Sequence, residues 1–325
     1  MPPDTTPPVA GPSPVLVIGL ASAYQRTIHF PSVQLGEVNR ATHTAISAAG
    51  KGVNVARALR TLDIPAELMT FLGSTTGAWI RQQLANEGIP CLAIPTAAPT
   101  RICQTLVDEQ AEQVTELVEE MTPPTAQEWV PFQAEFSRAL ARAALVVVAG
   151  TMPPGAPTAL YGELARQAEA RRVPFIIDSH GPALWAALPF APLGVKCNRT
   201  ELGYTVNMSV SSDAQVVEAG QRILEAGAKS VLITDGPDRA WWFEEQGVHT
   251  LCPPAIHPVN PIGSGDAVTA GWVAGYQQGT GKLAAVRQGV ACGTANALTD
   301  LPGHFDPLCM KTLMNSVEVA RYSGG

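Results

Sequence analysis

The sequence predicts an α/β fold: a doubly wound, mainly parallel sheet with helices on both faces, plus a small antiparallel β lid. Short, wholly apolar runs alternate with amphipathic stretches of helical length, which is the pattern of strands buried within a parallel sheet. Two segments break this alternation. The 325 residues, 46% hydrophobic and 15% charged, are ample for a sizeable core and exclude a disordered protein.

The predicted strands are short buried runs at residues 15–20, 66–71, 145–149, 173–177, 194–196 and 230–234. Helical patterns lie near 52–63, 77–88, 125–142, 157–171, 212–227, 265–279, 283–299 and 307–318. Thr125 and Glu128 have the spacing of a capping box, which supports a helix start at that point. The Trp241-Trp242 pair is predicted to pack within a strand.

The two exceptional segments alternate apolar and polar residues without helical period, at 27–46 and 101–118. They predict antiparallel strands that project from the sheet edge and cover a cleft, with lid segments of about 25–46 and 98–121. The domain as a whole is expected over 15–319. Residues 1–14 are rich in proline and are expected to form a disordered leader, and 320–325 are expected to form a tail.

Charge and cysteine usage narrow the function classes. The net charge of −7 and the pI near 5.4 argue against nucleic acid and anionic membrane surfaces as partners. An anionic substrate would therefore need a few local cations. The six cysteines form no C-x-x-C pair, which predicts neither a zinc site nor a disulfide framework. With no signal peptide and no apolar run near 20 residues, we expect a soluble, cytoplasmic protein.

The most informative motif is the turn Gly263-Ser264-Gly265-Asp266, which runs into an apolar helix. Glycines let backbone N–H groups crowd together, and a helix start adds a partial positive charge, so such a turn favours an anion. Two interpretations of Asp266 follow from the residues alone. It is either a plain helix cap or a general base beside a hole for a phosphoryl group in flight.

A second motif is Gly50-Lys51-Gly52 followed by Asn54 at a predicted helix start. The glycines allow close approach to a ligand, while Asn54 offers a donor and an acceptor and Lys51 a point charge. The alternative is a capped helix start with a solvated lysine. The four-residue spacer and the Lys-Ser/Thr pair of a Walker A loop are absent.

Two further motifs follow predicted strands. Asn198 and Glu201 are three residues apart, so on a helical turn they share a face and either hold a hydrated magnesium ion or cap the helix. Thr234 and Gly236 end another strand, where a hydroxyl and a tight turn would meet nucleotide phosphates. Taken alone, this last motif is weak.

The order of these pieces carries a family resemblance. The segments AAGKGVNVARAL, AGTMPPG, KCNRTEL, TDG and NPIGSGDAVTAG resemble, in order and spacing, the ribokinase-like sugar kinases of the PfkB family. The resemblance runs from about Val15 to Val319 and is closest to the branch that phosphorylates sugar phosphates, the 1-phosphofructokinases and tagatose-6-phosphate kinases. It implies an ATP-dependent kinase with Mg²⁺, a monovalent cation as a further candidate cofactor, and homodimers formed through the lid.

The resemblance also implies roles for the motif residues. Asp266 matches the family's catalytic base, and the backbone of Gly263, Ser264 and Gly265 matches its anion hole. The sugar-binding loop corresponds to Gly50, Lys51 and Asn54, the magnesium motif to Asn198 and Glu201, and the nucleotide side to Lys196, Thr234 and Gly236. Arg101 matches an arginine that binds the substrate phosphate in the phosphosugar branch. The alternative is a solvated lid arginine.

One departure leaves the substrate open. Where the branch has Asn-Pro-Ala-x-Asp, this chain has Ala21-Ser22-Ala23-Tyr24-Gln25, so a neutral amide replaces the carboxylate that accepts hydrogen bonds from the sugar. Three hypotheses remain: a hexose-phosphate kinase, a kinase for an unphosphorylated sugar or nucleoside, and a non-catalytic sugar-phosphate sensor. Arg101 favours the first, Gln25 favours the others, and the intact Asp266 counts against the sensor.

Overall fold

The computed structural model describes residues 13–323, so the predicted leader lies outside the described residues except for its last two positions. The strands are β1 (Val15–Ile18), β2 (Ala23–Phe30), β3 (His43–Ala49), β4 (Ala66–Leu72), β5 (Cys91–Pro95), β6 (Ile102–Asp108), β7 (Gln113–Val118), β8 (Leu145–Ala149), β9 (Phe175–Asp178), β10 (Gly194–Asn198), β11 (Val231–Asp235), β12 (Arg239–Glu244), β13 (Gly247–Cys252) and β14 (Glu318–Arg321).

The helices are α1 (Lys51–Thr61), α2 (Ser74–Asn86), α3 (Ala126–Leu140), α4 (Leu160–Ala170), α5 (Gly181–Ala187), α6 (Arg199–Val206), α7 (Asp213–Glu225), α8 (Ser264–Gln277), α9 (Lys282–Asn296) and α10 (Pro307–Ser316), with a short 3₁₀ helix at Leu188–Phe190. Within residues 13–323, no helix combines the length and the apolarity that crossing a membrane requires.

Ten strands form the large sheet, in the order β14-β13-β12-β11-β10-β9-β8-β1-β4-β5. The strands from β11 to β5 are parallel, and β12 to β14 extend the sheet as antiparallel strands. Alternate residues of β1 enter two separate hydrophobic clusters, Val15 and Val17 in one, Leu16 and Ile18 in the other. Both faces of the sheet are therefore covered, which confirms the doubly wound α/β prediction.

The second sheet has four strands in the order β3-β2-β6-β7 and corresponds to the predicted lid. Its two hairpins are antiparallel as predicted, but β2 and β6 in the middle pair in parallel. The parallel pair has a simple cause. β2 follows β1 and β6 follows β5, so both leave the same edge of a parallel sheet and run in the same direction.

The sequence patterns missed several short elements. α5 has seven residues and α6 eight, too few to display a helical period, and β14 is exposed along its whole length, so no apolar run marks it. The predicted helix over 307–318 ends at Ser316, and the chain turns into β14, which includes two residues of the predicted tail. Trp241 and Trp242 are buried within β12, as predicted.

The start of α1 is fixed by a close approach of two backbones. A side-chain carbon added to Gly52 would meet the Cα atom of Gly19 at 2.5 Å, so only glycine permits this contact. Gly19 follows β1, and α1 therefore begins directly at the carboxyl end of this buried strand. In doubly wound sheets this edge is where ligands bind.

Candidate active site

The turn before α8 is shaped to hold an anion. Gly263 is the N-cap of α8 and has left-handed backbone angles (φ 79°), and a side-chain carbon there would lie 2.7 Å from Cβ of Pro302. No side chain caps the first turn of the helix. The first N–H groups of a helix have no partner within the helix, so this end offers backbone donors to an anion such as a phosphoryl group.

Asp266 lies in the first turn of α8 but does not cap it, so the interpretation of this residue as a plain helix cap is wrong. Its side chain is 5% exposed, and its Oδ2 accepts a hydrogen bond of 2.8 Å from Nδ2 of Asn54. Burial and the nearby Asp178 carboxylate raise the pKa of Asp266 to about 6, against the opposing effects of Lys51, Lys196 and Asn54. A carboxylate with this pKa is suited to accept a proton near neutral pH.

A second buried carboxylate, Asp178 at the end of β9, organises the cations around Asp266. Its Oδ2 accepts hydrogen bonds from Nζ of Lys196 at 3.1 Å and from Oγ1 of Thr269 at 2.8 Å. Its Oδ1 lies 3.6 Å from Nζ of Lys51. The sequence reasoning missed Asp178, although an acidic residue ending an apolar strand at the carboxyl edge of the sheet is a signal that it could have used.

The family resemblance puts Lys196 on the nucleotide side, and in the structure its amino group lies beneath the turn Gly263-Ser264-Gly265. A side-chain carbon built on Gly265 would lie 2.8 Å from Nζ of Lys196. Lys196 as a whole is 3% exposed, and its ammonium group pairs with Asp178. Lys196 thus contributes positive charge to the turn that precedes Asp266.

Lys51 is the first residue of α1 and its side chain is 36% exposed, but its ammonium group is paired with carboxylates. Its ammonium lies between Asp178 and Glu201, 3.1 Å from Oε1 of Glu201. The pKa of Lys51 is raised above its usual range, mainly by Asp178 and also by Glu201 and Asp266, although burial acts in the opposite direction. Gly50 before it has φ 116° and would place a side-chain carbon 3.0 Å from the carbonyl oxygen of Ala21.

Asn198 and Glu201 form a reciprocal cap at the start of α6. Oδ1 of Asn198 accepts from the backbone N–H of Glu201 at 2.8 Å, and Oε2 of Glu201 accepts from the N–H of Asn198 at 2.9 Å. Burial raises the pKa of Glu201, but His180, Lys51 and the Asn198 N–H outweigh it and hold that pKa well below its usual range. The helix cap that the sequence offered as the alternative to a magnesium site is therefore formed. The Glu201 carboxylate that takes part in it is ionised and lies at the edge of the site.

The donor set around Glu201 limits how magnesium could be held. Across residues 13–323, no group of three or more histidine, cysteine or acidic side chains has the arrangement of a metal site. One ionised carboxylate fits an ion that keeps most of its water and is held mainly by phosphates, which is the usual state of Mg²⁺ in kinases. It does not fit an ion coordinated by the protein alone.

The remaining predicted residues flank this centre. Thr234 lies in β11 beside Asn198 in register, and Gly236, the first residue after β11, is exposed with φ 53°. On the lid side, Nη2 of Arg101 donates to the carbonyl of Ala21 at 2.9 Å and Nη1 to that of Glu119 at 3.1 Å. Nε2 of Gln25 donates to Oγ1 of Thr105 at 2.8 Å, so its amide is held within the lid sheet.

Comparison with known proteins agrees with this geometry. The family model described as pfkB family carbohydrate kinase matches residues 14–304. A 1-phosphofructokinase of Escherichia coli (strain K12) is 29% identical over 294 residues, which cover 89% of this chain and 94% of that protein. A tagatose-6-phosphate kinase of Staphylococcus epidermidis is 26% identical over 310 residues, 94% of this chain and 99% of that protein.

The fold comparison gives the same architecture. The structure of phosphofructokinase-2 from Escherichia coli in complex with potassium superposes with a TM-score of 0.86, covering 94% of this chain and 99% of that one, at 23% identity.

The raised pKa of Asp266 leads to a first prediction. If its carboxylate is the base, phosphoryl transfer requires the deprotonated form, so kcat/KM should fall about tenfold per pH unit below an acidic limb near pH 6. A pH–rate profile between pH 5 and 8 checks this. A limb near pH 4, the value of an ordinary exposed aspartate, would contradict the burial argument.

Proposed function

The chain belongs to the PfkB family of carbohydrate kinases, and from this premise we propose that it transfers phosphate from ATP to a hydroxyl of a hexose phosphate of the fructose-1-phosphate or tagatose-6-phosphate type. The observation that carries the proposal is the buried, hydrogen-bonded Asp266 beside an uncapped helix start. The curated relatives, matched over most of their length, are named for kinases of these two sugar phosphates.

The chemistry follows from the geometry. The acceptor hydroxyl loses its proton to Asp266 as its oxygen bonds to the γ-phosphorus, and the bond from phosphorus to the bridging oxygen breaks to release ADP. The backbone N–H groups of Gly263 and Gly265 and the ammonium of Lys196 would stabilise the charge on the transferring group. The N–H of Ser264 donates to the carbonyl of Pro261 at 3.2 Å and would join them only by giving up that contact. Gly50, Lys51 and Asn54 would hold the sugar at the start of α1.

Magnesium, when bound with ATP, would neutralise phosphate charge and orient the γ-phosphoryl group. Glu201 would act on it through water, since one of its oxygens already accepts the N–H of Asn198 and the other lies beside Lys51. Thr234 and Gly236, at the neighbouring strand end, would contact the nucleotide. In this arrangement Glu201 would be the one protein carboxylate that acts on the metal ion.

Arg101 would supply the charge that recognises a phosphate on the sugar. Its guanidinium is anchored to the carbonyls of Ala21 and Glu119, and Ala21 also lies against the sugar-binding loop at Gly50. Backbone carbonyls orient the guanidinium without cancelling its full positive charge, so the charge remains available to an anion. Gln25 would offer its amide oxygen to a sugar hydroxyl while its nitrogen stays bound to Thr105.

We also propose three features beyond the reaction. A monovalent cation would serve as a further cofactor, as the potassium in the phosphofructokinase-2 structure suggests. A homodimer would form through the lid, which exposes apolar side chains at Leu35, Val38, Ile46, Val114, Leu117 and Val118. A cytoplasmic location agrees with six cysteines that are all free thiols.

Replacing Arg101 by alanine tests the phosphosugar proposal most sharply. Hydrogen bonds to charged groups contribute about 1.5–3 kcal/mol, so kcat/KM for the phosphosugar should fall about 10- to 150-fold, mainly through KM. A coupled ADP-release assay with fructose 1-phosphate, tagatose 6-phosphate, fructose and ribose measures this. KM for ATP should change little, and any turnover of a free sugar should not depend on Arg101.

Arg26→Ala is the matched control, because Arg26 is an exposed arginine on the neighbouring strand β2. It should leave all constants near wild type. Wild-type turnover of free sugars only, or equal small effects of Arg101→Ala on both substrate classes, would reject the hexose-phosphate assignment and favour the kinase of an unphosphorylated sugar.

Glu201→Gln tests the magnesium role separately. The amide cannot attract a hydrated cation as the carboxylate does, so the Mg²⁺ concentration for half-maximal rate should rise while KM for the sugar changes less. Titrating MgCl₂ at fixed ATP gives both values. An unchanged magnesium dependence would mean that Glu201 only caps α6.

A further inference from the structure

Arg57 on α1 is a buried arginine whose donors are all engaged close to Asp266. It is 4% exposed, and its five N–H groups have five contacts. Nε and Nη2 donate to the carboxylate of Glu87 at 2.7 and 3.1 Å. Nη2 also donates to the carbonyl of Ala48 at 2.9 Å. Nη1 donates to the carbonyl of Pro302 at 2.8 Å and points towards Oδ1 of Asn54 at 3.5 Å. The guanidinium is thus fixed on every side.

The contact with Asn54 determines which end of that amide faces Asp266. A guanidinium only donates hydrogen bonds and is always charged, so the amide oxygen of Asn54 must point to Arg57. The amide nitrogen then points the other way, where it donates to Oδ2 of Asp266 at 2.8 Å. With the amide turned over, its oxygen would face the Asp266 carboxylate, and two acceptors would repel each other.

The other contacts of Arg57 reach both sides of the site. Ala48 precedes the sugar-binding loop at Gly50, so one carbonyl held by Arg57 belongs to the backbone that leads into that loop. Pro302 lies against Gly263, the N-cap of α8, so another carbonyl held by Arg57 belongs to the segment that backs the anion-binding turn. One side chain therefore links the sugar loop, the base and the turn.

We propose that Arg57 is a positioning residue that holds the Asn54 amide in the orientation that anchors Oδ2 of Asp266, leaving Oδ1 to accept the proton of the sugar hydroxyl. The inference rests on the proposed function for the identity of the base. Among the described residues, Asn54 is the hydrogen-bond donor that meets the Asp266 side chain. Loss of the fixed amide would therefore weaken the one contact that favours a single carboxylate orientation.

The charged groups around Asp266 predict whether its pKa rises or falls when the hydrogen bond from Asn54 is lost. Lys51 of α1 and Lys196 of β10 favour its ionised form, and Asp178 of β9 opposes it. The α9 face packed against α8 is uncharged, and burial holds the Cys292 thiol there neutral by raising its pKa. Removing the Asn54 hydrogen bond from this balance destabilises the carboxylate, so the pKa of Asp266 rises.

The test is Arg57→Lys, which keeps the positive charge but cannot reach the five acceptors. The acidic limb of kcat/KM should move up by about one pH unit. At pH 8, kcat should fall at least about tenfold, with KM for ATP changed less than about twofold. Arg60→Lys on the same helix is the control, because Arg60 is exposed and pairs with the exposed Asp63, and it should match wild type. A folded Arg57→Lys with the wild-type limb overturns the proposal.

A double-mutant cycle shows whether Arg57 acts through Asn54. In an Asn54→Ala background the further change Arg57→Lys should leave the pKa of Asp266 where Asn54→Ala alone puts it. An equal shift in both backgrounds overturns the proposal. Thermal unfolding of each variant separates loss of activity from loss of fold.

Carbon-13 NMR titration of the Asp266 carboxyl gives a readout that needs no turnover. The inference about Arg57 therefore stays testable even if the enzyme accepts a different sugar. If the wild type is inactive on sugar phosphates but the pKa of Asp266 shifts in the variants as expected, only the proposed function is rejected. If Arg57→Lys does not fold, Glu87→Gln decides, since it weakens two of the contacts that fix the guanidinium and leaves Arg57 and Asn54 in place. Loss of a negative charge would by itself lower the pKa of Asp266, so the rise that we expect reports the freed amide, and an unchanged or lowered pKa overturns the proposal.

Discussion

Burial of the Asp266 carboxylate at the first turn of α8 is the constraint on which the rest of the site depends. An isolated charge taken out of water is costly, so the surrounding groups must balance it. Two ammonium groups, Lys51 and Lys196, do so together with the amide of Asn54, and Asp178 in turn holds both ammonium groups in place. The carboxylate stays ionisable near neutral pH, which is the property that a proton acceptor needs.

The fold delivers this balance because parallel strands end at one edge. Asp178 ends β9, Lys196 lies within β10 next to it in register, and α1 and α8 begin at the same edge. Glycine at positions 52 and 263 permits the close backbone approaches that place these helix starts. The lid leaves the sheet beside this edge, and Arg101 donates to the carbonyl of Ala21, so the lid is anchored at the same strand ends.

The sequence predicted the α/β class and the second small sheet, and it named several residues that the structure brings together around Asp266, because these depend on local patterns. Alternation of apolar runs marks buried strands, and glycine-rich turns mark ligand-binding helix starts. It did not predict Asp178 or Arg57, whose importance comes from contacts with residues distant in sequence, such as Lys196 and Pro302. Nor could it predict that Lys196 lies beneath Gly265, or that β2 and β6 pair in parallel, since both follow from the assembled sheet.

The most direct measurement is the rate of phosphoryl transfer by Asp266→Asn alongside its affinity for ATP. The amide keeps the shape of the carboxylate but cannot accept the proton, so kcat should fall at least about 100-fold. The Kd for ATP should stay near the wild-type value. The melting temperature should stay the same or rise. Asp63→Asn, at an exposed site on the protein surface, is the matched control and should retain full activity. Near-normal kcat in folded Asp266→Asn would contradict the assignment of Asp266 as the base.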